Sequence, residues 1–480
     1  MRRSNLKYLV LALTFIFLLR FGFKMMESSN GQLDVNIQFR HKNISGLDFD
    51  KLQTMIEELK EQNLRVYITQ DRKSHNDEIH MVYTPMNFPK IIDVSFGPRR
   101  PYEMTKKYAF VYFMFNEQLS KNTRAFLSLC AQAGRSNRYV VKPYVKGARF
   151  SQSQDSWLDF DTYYNIDHME ELLTVSNYAG LVEKDEYFEQ CPINDSGHVS
   201  IYFVDDSQTS KNAFMSTFRM KRDYVNKITA DASRNGWTEC NFIDKAMGRV
   251  PGKQYCVHST VIKDWTKLEE EIVKGHKCLN IFQWRGIDGV SYRLKFSEDD
   301  LKFSSVDLTF ALRPGMDVEN EVEDFTEEFL SNNYIAIYLR SEIVFRHKNM
   351  DYLRKCVDLV LEALNLLKKK TGVSHVFIAT DMGTYGSGSL MRFKAEENLD
   401  ESVFNDLIEY IVKESQGTTY VPSSDTLDRG VIALVDMNLV TGAQHLISAG
   451  SGSFQQWITA RFLDRHRYDN KVWSKITVCT

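Results

Sequence analysis

Apolar residues recur along this chain in two rhythms. Short runs of apolar and β-branched residues read as buried strands, and longer stretches with apolar positions at i, i+4 and i+7 read as helices laid on a sheet. The alternation is clearest from residue 334 onward. Strand 334–339 leads to a helix on which Leu353, Val357, Val360, Leu364 and Leu367 form one stripe, and Gly372 ends it. Strand 375–381, a Gly/Ser-rich loop at 382–390, a helix near 400–415, strand 418–421, helix 429–441, strand 445–449 and helix 453–465 follow. Repeated strand–loop–helix units predict a doubly wound parallel sheet. Upstream, YAFVYFMF (108–115) as a strand, a helix over 117–134 and RYVVKPYV (138–145) as one further strand make a βαβ unit that opens a first domain.

Between 150 and 315 the pattern thins. Residues 201–206, 256–260 and 279–284 read as strands, residues 222–233 as a helix, and Lys302–Leu312 as a strand or a partner helix. The acidic run DVENEVEDFTEE (317–328) reads as a solvated linker or the outer face of a helix and marks a junction. These readings divide the chain into residues 107–315 and 316–480. Residues 27–106 carry one helical pattern, near 49–62, and read as a stem or extension. At the amino terminus Arg2, Arg3 and Lys7 precede the apolar run Tyr8–Leu19, followed by Arg20 and Lys24. That run is shorter than the roughly 20 residues of a standard span, but the flanking cations can snorkel. Residues 1–26 therefore read as a cytoplasmic tip and signal anchor, with a cleaved signal peptide as the alternative. Either reading places the bulk of the chain in the lumen or outside the cell.

Composition adds few constraints. A hydrophobic share of 43% and a charged share of 26% are those of a globular protein with room for two or three cores. The net charge of −3 gives no reason to expect nucleic acid as a partner, while a small anionic ligand remains compatible. The cysteines, at 130, 191, 240, 256, 278, 356 and 479, form no CxxC cluster. In an oxidising lumen they predict one to three structural disulfides with at least one thiol left over. No metal site is expected. Asp48-Phe49-Asp50 and Asp159-Phe160-Asp161 match a three-residue DxD pattern that is common by chance, and His347 and His375 lack partners at ligand spacing.

Chemistry concentrates at strand ends. Arg340 follows the run ending at Leu339, so a planar cationic fork arrives at the carboxyl edge of a buried strand, where open α/β sheets bind ligands. Asp381 ends the next strand and either binds a ribose or base or caps a turn. In SAGSGSFQQW (448–457), small residues precede a helix whose positive end suits an anion.

The order YLRSE (338–342), VFIATD (376–381), DRGVIALVDMNLV (428–440) and GSGSFQQW (450–457) resembles the GDP-fucose-dependent fucosyltransferase superfamily, which includes protein O-fucosyltransferases and the α1,2 and α1,6 enzymes. Residues 115–145 and 160–178 are similar to the opening elements of that family. The resemblance implies a GT-B fold, two Rossmann-like domains facing a cleft, with an acceptor-side domain at 107–315 and a nucleotide-sugar domain at 316–480. It implies an inverting glycosyltransferase that moves fucose from GDP-fucose to a glycoprotein or glycan hydroxyl without metal or other cofactor. A catalytically inactive relative that binds a nucleotide sugar or glycoprotein is the alternative. Arg340 would stabilise the departing GDP and Glu117, in the first turn of its helix, would be the base; a first-turn glutamate also suits a helix dipole. Asn116, Gln118, Tyr338, Asp381, Asp436, Ser451, Gly452, Ser453 and Phe454 would contact the donor. Tyr338 stands where the family has histidine, and its phenol can donate the same hydrogen bond. The implied location is the Golgi or endoplasmic reticulum membrane, single-pass type II, with secretion if the leader is cleaved.

Overall fold

The computed structural model describes residues 68–70, 79–81, 106–113, 119–152, 156–176, 178–192, 197–240, 252–262, 265–283, 308–381, 401–424, 427–466 and 473–479. The expected anchor, the helix near 49–62, the loop 382–390 and the candidate residues Asn116, Glu117 and Gln118 lie outside them.

A short hairpin comes first, β1 (Ile68–Gln70) and β2 (Ile79–Met81). The first large unit then runs through β3 (Lys107–Phe113), α1 (Leu119–Arg135), β4 (Arg138–Val141), β5 (Tyr144–Lys146), β6 (Arg149–Ser151), α2 (Ile166–Val175), β7 (Leu181–Val182) and α3 (Lys184–Gln190). It continues through β8 (His198–Val204), α4 (Gln208–Phe218), α5 (Arg222–Asn235), β9 (Trp237–Glu239), β10 (Lys253–His258), α6 (Trp265–Leu268) and β11 (Cys278–Gln283). Its sheet has the order β7-β4-β3-β11-β8-β10-β9, parallel throughout except for β9 at the edge. All seven residues of β8 are buried, as befits a strand covered on both faces.

The expected single strand 138–145 is two. Pro143 has no N–H to give to a ladder, so β4 stops at Val141 and the chain turns into the separate β5–β6 hairpin. Of the segment 302–312, a single helical turn at Leu308–Phe310 is described in place of a strand or full helix.

The second unit contains α7 (Met316–Phe329), β12 (Ile335–Leu339), α8 (Ser341–His347), α9 (Met350–Thr371), β13 (Val376–Thr380), α10 (Glu401–Ser415), β14 (Thr418–Thr419), α11 (Arg429–Gly442), β15 (His445–Ala449), α12 (Ser453–Arg465) and β16 (Ser474–Val478). The acidic run is thus a helix that buries Val318 and Phe325 and turns most of its carboxylates outward. The predicted stripe on α9 is buried in full, and Gly372 terminates the helix with φ +70°. The sheet is parallel with the order β14-β13-β12-β15-β16. β1 lies alongside its outer strand, β16. Disulfides join Cys191 to Cys278, Cys240 to Cys256 and Cys356 to Cys479, which leaves Cys130 buried and unpaired.

Directional contacts hold the two units together. Trp457 donates from Nε1 to the Thr309 carbonyl at 2.9 Å, and Arg461 donates to the Leu312 carbonyl at 2.7 Å. Asp428, the N-cap of α11, accepts from its own helix at Gly430 N (2.7 Å), from Gly147 N in the β5–β6 turn (2.6 Å) and from the Tyr163 hydroxyl. Tyr163 is fully buried and lies so close to Gly430 that a Cβ there would sit 1.9 Å from its oxygen. Gly430→Ala is therefore expected to destabilise the protein by about 1–3 kcal/mol, as overpacking of a filled site does. A melting temperature equal to that of the parent would contradict this packing.

Candidate active site

The second sheet changes direction between β12 and β15. From β12 the chain moves outward through β13 to β14, and from β15 it moves the other way to β16. Such a switch point opens a crevice outside the carboxyl ends of the two central strands, because the loops leaving them run to opposite sides. Arg340 leaves β12 there, and Gly450 leaves β15 beside it, since Leu339 and Ala449 are register partners. The Arg340 N–H donates to the Ala449 carbonyl at 2.9 Å, so the arginine backbone is an extension of the sheet.

Two glycines make room for it. Gly450 has φ +93°, and a Cβ there would lie 2.7 Å from the Arg340 carbonyl oxygen. Gly452 has φ +124°, and its Cβ position is 3.4 Å from both Cζ and Nη1 of Arg340. The guanidinium therefore lies against the turn that opens α12, whose first N–H groups carry the positive end of a helix with no side-chain cap. Ser451 and Gly452 form that turn, and Ser453 and Phe454 begin the helix.

Asp381, the residue after β13, sits on the other side of Arg340. Its carboxylate accepts from Ser341 N at 2.7 Å and from Glu342 N at 3.2 and 3.3 Å, which caps α8 rather than the turn that follows Asp381 itself. Its distance to Arg340 Nε is 3.9 Å, outside hydrogen-bonding range. Burial raises the Asp381 carboxyl to about 6, against the opposing pull of the Arg340 charge and the two backbone donors. Arg340 Nε is itself buried and, among the described residues, has no hydrogen-bond partner.

Tyr338 is buried one turn of the strand earlier, with its ring 6.1 Å from that of Phe454. Burial pushes its phenol well above the ordinary value although Arg340 favours the ionised form, so it stays neutral. Phe454 in turn meets Trp457 edge-on at 6.2 Å. Asp436 projects from α11 close enough to act on the Tyr338 phenol, and burial raises its carboxyl to about 8. A neutral phenol and an acid that keeps its proton at pH 7 add no negative charge against an incoming anion.

The first unit reaches the same place through Ser120, in the first turn of α1, whose hydroxyl donates to Ser453 Oγ at 3.2 Å. The first turn of α1 thus meets the first turn of α12. Of the residues that sequence reasoning singles out, Arg340, Tyr338, Asp381, Asp436, Gly452, Ser453 and Phe454 lie near one another in the structure. Ser120 and the Tyr163–Asp428 pair were missed. Asp428 before an apolar helix is a legible cap, but its tyrosine partner, far away in sequence, left no signal.

No family model matches the chain, and no curated protein matches it. Among solved structures, the chain is similar to POFUT1 in complex with GDP-fucose (TM-score 0.46, 12% identity, covering 77% of this chain and 97% of that one). It is similar also to POFUT1 in complex with GDP (TM-score 0.45, 11% identity, 78% and 98%). The fucosyltransferase NodZ from Bradyrhizobium gives a TM-score of 0.34 at 11% identity over 74% and 93%. Likeness at this level leaves the individual residues to be judged on their own geometry.

The raised Asp436 carboxyl has a measurable consequence. Between its ordinary value of 3.8 and about 8 the folded protein holds a proton that the unfolded chain has released, so stability falls as pH rises through that window and levels off above it. Asp381 contributes the same sign only up to about 6. Asp436→Asn should therefore gain on the parent by about 1–3 °C per pH unit from pH 6.5 to 8 in thermal melts. Parallel curves over that range would refute the assignment.

Proposed function

We propose that this protein is a glycosyltransferase that binds GDP-fucose and transfers fucose to a hydroxyl of a glycoprotein or glycan, from a GT-B arrangement of two Rossmann-like domains. The observation that carries the reading is the electrostatic state of Arg340. A guanidinium held mostly out of water at a topological switch point has its acidic neighbour 3.9 Å away and engaged by two backbone N–H groups. Although the guanidinium also hydrogen-bonds the Tyr338 phenol, it keeps its charge and its Nε donor for an anion, and the glycine turn and the first N–H groups of α12 lie beside it. The order of motifs around those residues resembles that of the GDP-fucose-dependent enzymes and supports reading the anion as the diphosphate of GDP.

The chemistry follows from that placement. An acceptor hydroxyl attacks the anomeric carbon of fucose from the face opposite GDP, the bond from that carbon to the β-phosphate oxygen breaks, and its electron pair passes to GDP. Negative charge grows on the departing phosphate, where Arg340 and the first N–H groups of α12 lie already oriented. The acceptor proton goes to a base from the facing domain, for which Glu117 is the candidate. A single displacement from the face opposite GDP inverts the anomeric carbon, and stabilisation of the leaving group by fixed protein donors would let the reaction run without a metal. Three disulfides support a lumenal setting, with the amino-terminal segment as a type II anchor in the Golgi or endoplasmic reticulum.

Release of GDP from GDP-fucose should occur with the parent and fall by about 100-fold or more in Arg340→Ala, in line with the loss of a transition-state charge donor. Arg340→Lys should recover little, because an ammonium cannot present the planar fork. A parent that binds GDP but never turns GDP-fucose over would instead indicate a catalytically silent binding protein, a reading for which Tyr338 in place of the family's histidine is the motivating residue. Turnover is expected to survive EDTA. Loss of activity with chelator that Mn²⁺ restores would refute the proposed leaving-group chemistry.

A further inference from the structure

We infer that Asp381 is a positioning residue for Arg340, fixing the turn that aims the guanidinium, and does not itself contact the nucleotide. The inference rests on the proposed donor site. The sequence alone allowed Asp381 to be a ribose or base ligand, but in the structure both of its oxygens already accept from backbone N–H groups. One oxygen takes the Ser341 N–H at 2.7 Å and shares the Glu342 N–H with the other, at 3.2 and 3.3 Å. The residue thus ties the end of β13 to the first turn of α8, and Arg340 is the residue at which β12 becomes α8. Its φ and ψ of −89° and 72° belong neither to the strand nor to the helix.

Two attachments hold that joint. On the β15 side, the Arg340 N–H bonds to Ala449, and Gly450 packs against the arginine carbonyl. On the β13 side the attachment is Asp381. The carboxylate also faces the guanidinium at 3.9 Å, near enough to orient its charge and too far to hold it in a hydrogen bond. A shorter pair would satisfy Arg340 and blunt it toward a phosphate.

The arrangement is strongest with the ionised acid. Protonation at the other oxygen leaves Oδ1 able to accept from Ser341 N and Glu342 N, but it removes the shared Glu342 contact at 3.3 Å and the negative charge that strengthens these bonds and faces the guanidinium. Among the described residues, the charged and titratable groups facing Asp381 are Arg340, which favours ionisation, and Glu342 and Tyr338, which do not. With the carboxyl raised to about 6, the positioned state is dominant at pH 7 and is lost as pH falls below 6.

The test is a double-mutant cycle on GDP release from GDP-fucose, run from pH 5 to 8 alongside titration with GDP. Asp381→Asn keeps the volume and one acceptor oxygen, so the variant folds. It should lower kcat by about 10- to 100-fold, leave KM for GDP-fucose within about 3-fold and remove the acid limb near pH 6. In an Arg340→Ala background the same change should cost less than about 3-fold, because there is no guanidinium left to aim. Equal losses in both backgrounds, or an acid limb unchanged in Asp381→Asn, would overturn the positioning role while leaving the donor site standing. A KM rise of more than about 10-fold at constant kcat would overturn it too, in favour of direct nucleotide contact. Failure of the parent to bind GDP would be a different result and would remove the proposed function itself.

Discussion

The site depends on one incompletely neutralised charge. Taking a guanidinium out of water is tolerable only when something negative or polar replaces the lost hydration. At Arg340 that replacement is partial. Asp381 stands at 3.9 Å with its oxygens already occupied, and Tyr338 offers a phenol that burial keeps neutral. The surroundings suffice to hold the arginine in the folded chain and leave its attraction for a further anion largely unspent. Much of the local sequence serves this state. Gly450 and Gly452 admit the arginine, α12 begins without a side-chain cap, and Asp436 retains its proton at neutral pH.

Such a charge is useful only if the surrounding backbone cannot relax toward it. The parallel sheet supplies the resistance: β12 and β15 are hydrogen-bonded neighbours at the centre of their sheet, buried along their whole described length. The facing unit is fixed by contacts that are directional rather than merely apolar, from Trp457 and Arg461 on α12 and from the Tyr163–Asp428 pair on α11. Both helices that bear site residues, α11 and α12, therefore carry interface residues as well. A change in how the two units meet would be felt at Asp436 and Ser453 without any alteration of the crevice residues themselves.

Most of this fold was legible because periodicity survives where burial is continuous. The stripe on α9, the strands β12, β13 and β15 and the span of α12 follow from apolar spacing alone. What escaped has physical reasons. β16 carries Lys475, a charge that argues for the surface, yet in the fold its ammonium is buried, donates to Thr477 Oγ1 at 2.7 Å and is lowered to about 8 by burial. Residues 138–145 read as one strand by apolar content, whereas Pro143 divides them into two. In the site, strand-end position was enough to select Arg340 and Asp381, since sheet topology fixes where a residue after a strand must go. It could not say which way a side chain turns, and so could not distinguish a ligand contact from a cap at Asp381.

That distinction bears on how the crevice would tell a nucleotide diphosphate from a lone phosphate. A point charge alone attracts either. Here the arginine lies at the end of β12, the uncapped helix end lies at the end of β15, and Phe454 presents an aromatic ring next to both, braced by Tyr338 and Trp457. Charge and ring lie on the segments that leave two neighbouring strands, so a ligand would gain from both only if it carries an anion and a flat apolar group. A nucleoside diphosphate of the proposed kind carries both groups, and inorganic phosphate carries only the anion. On the proposed function, discrimination would then reside in how the segments leaving two hydrogen-bonded strands are held side by side, and the spacing of those strands is the least adjustable dimension of the sheet.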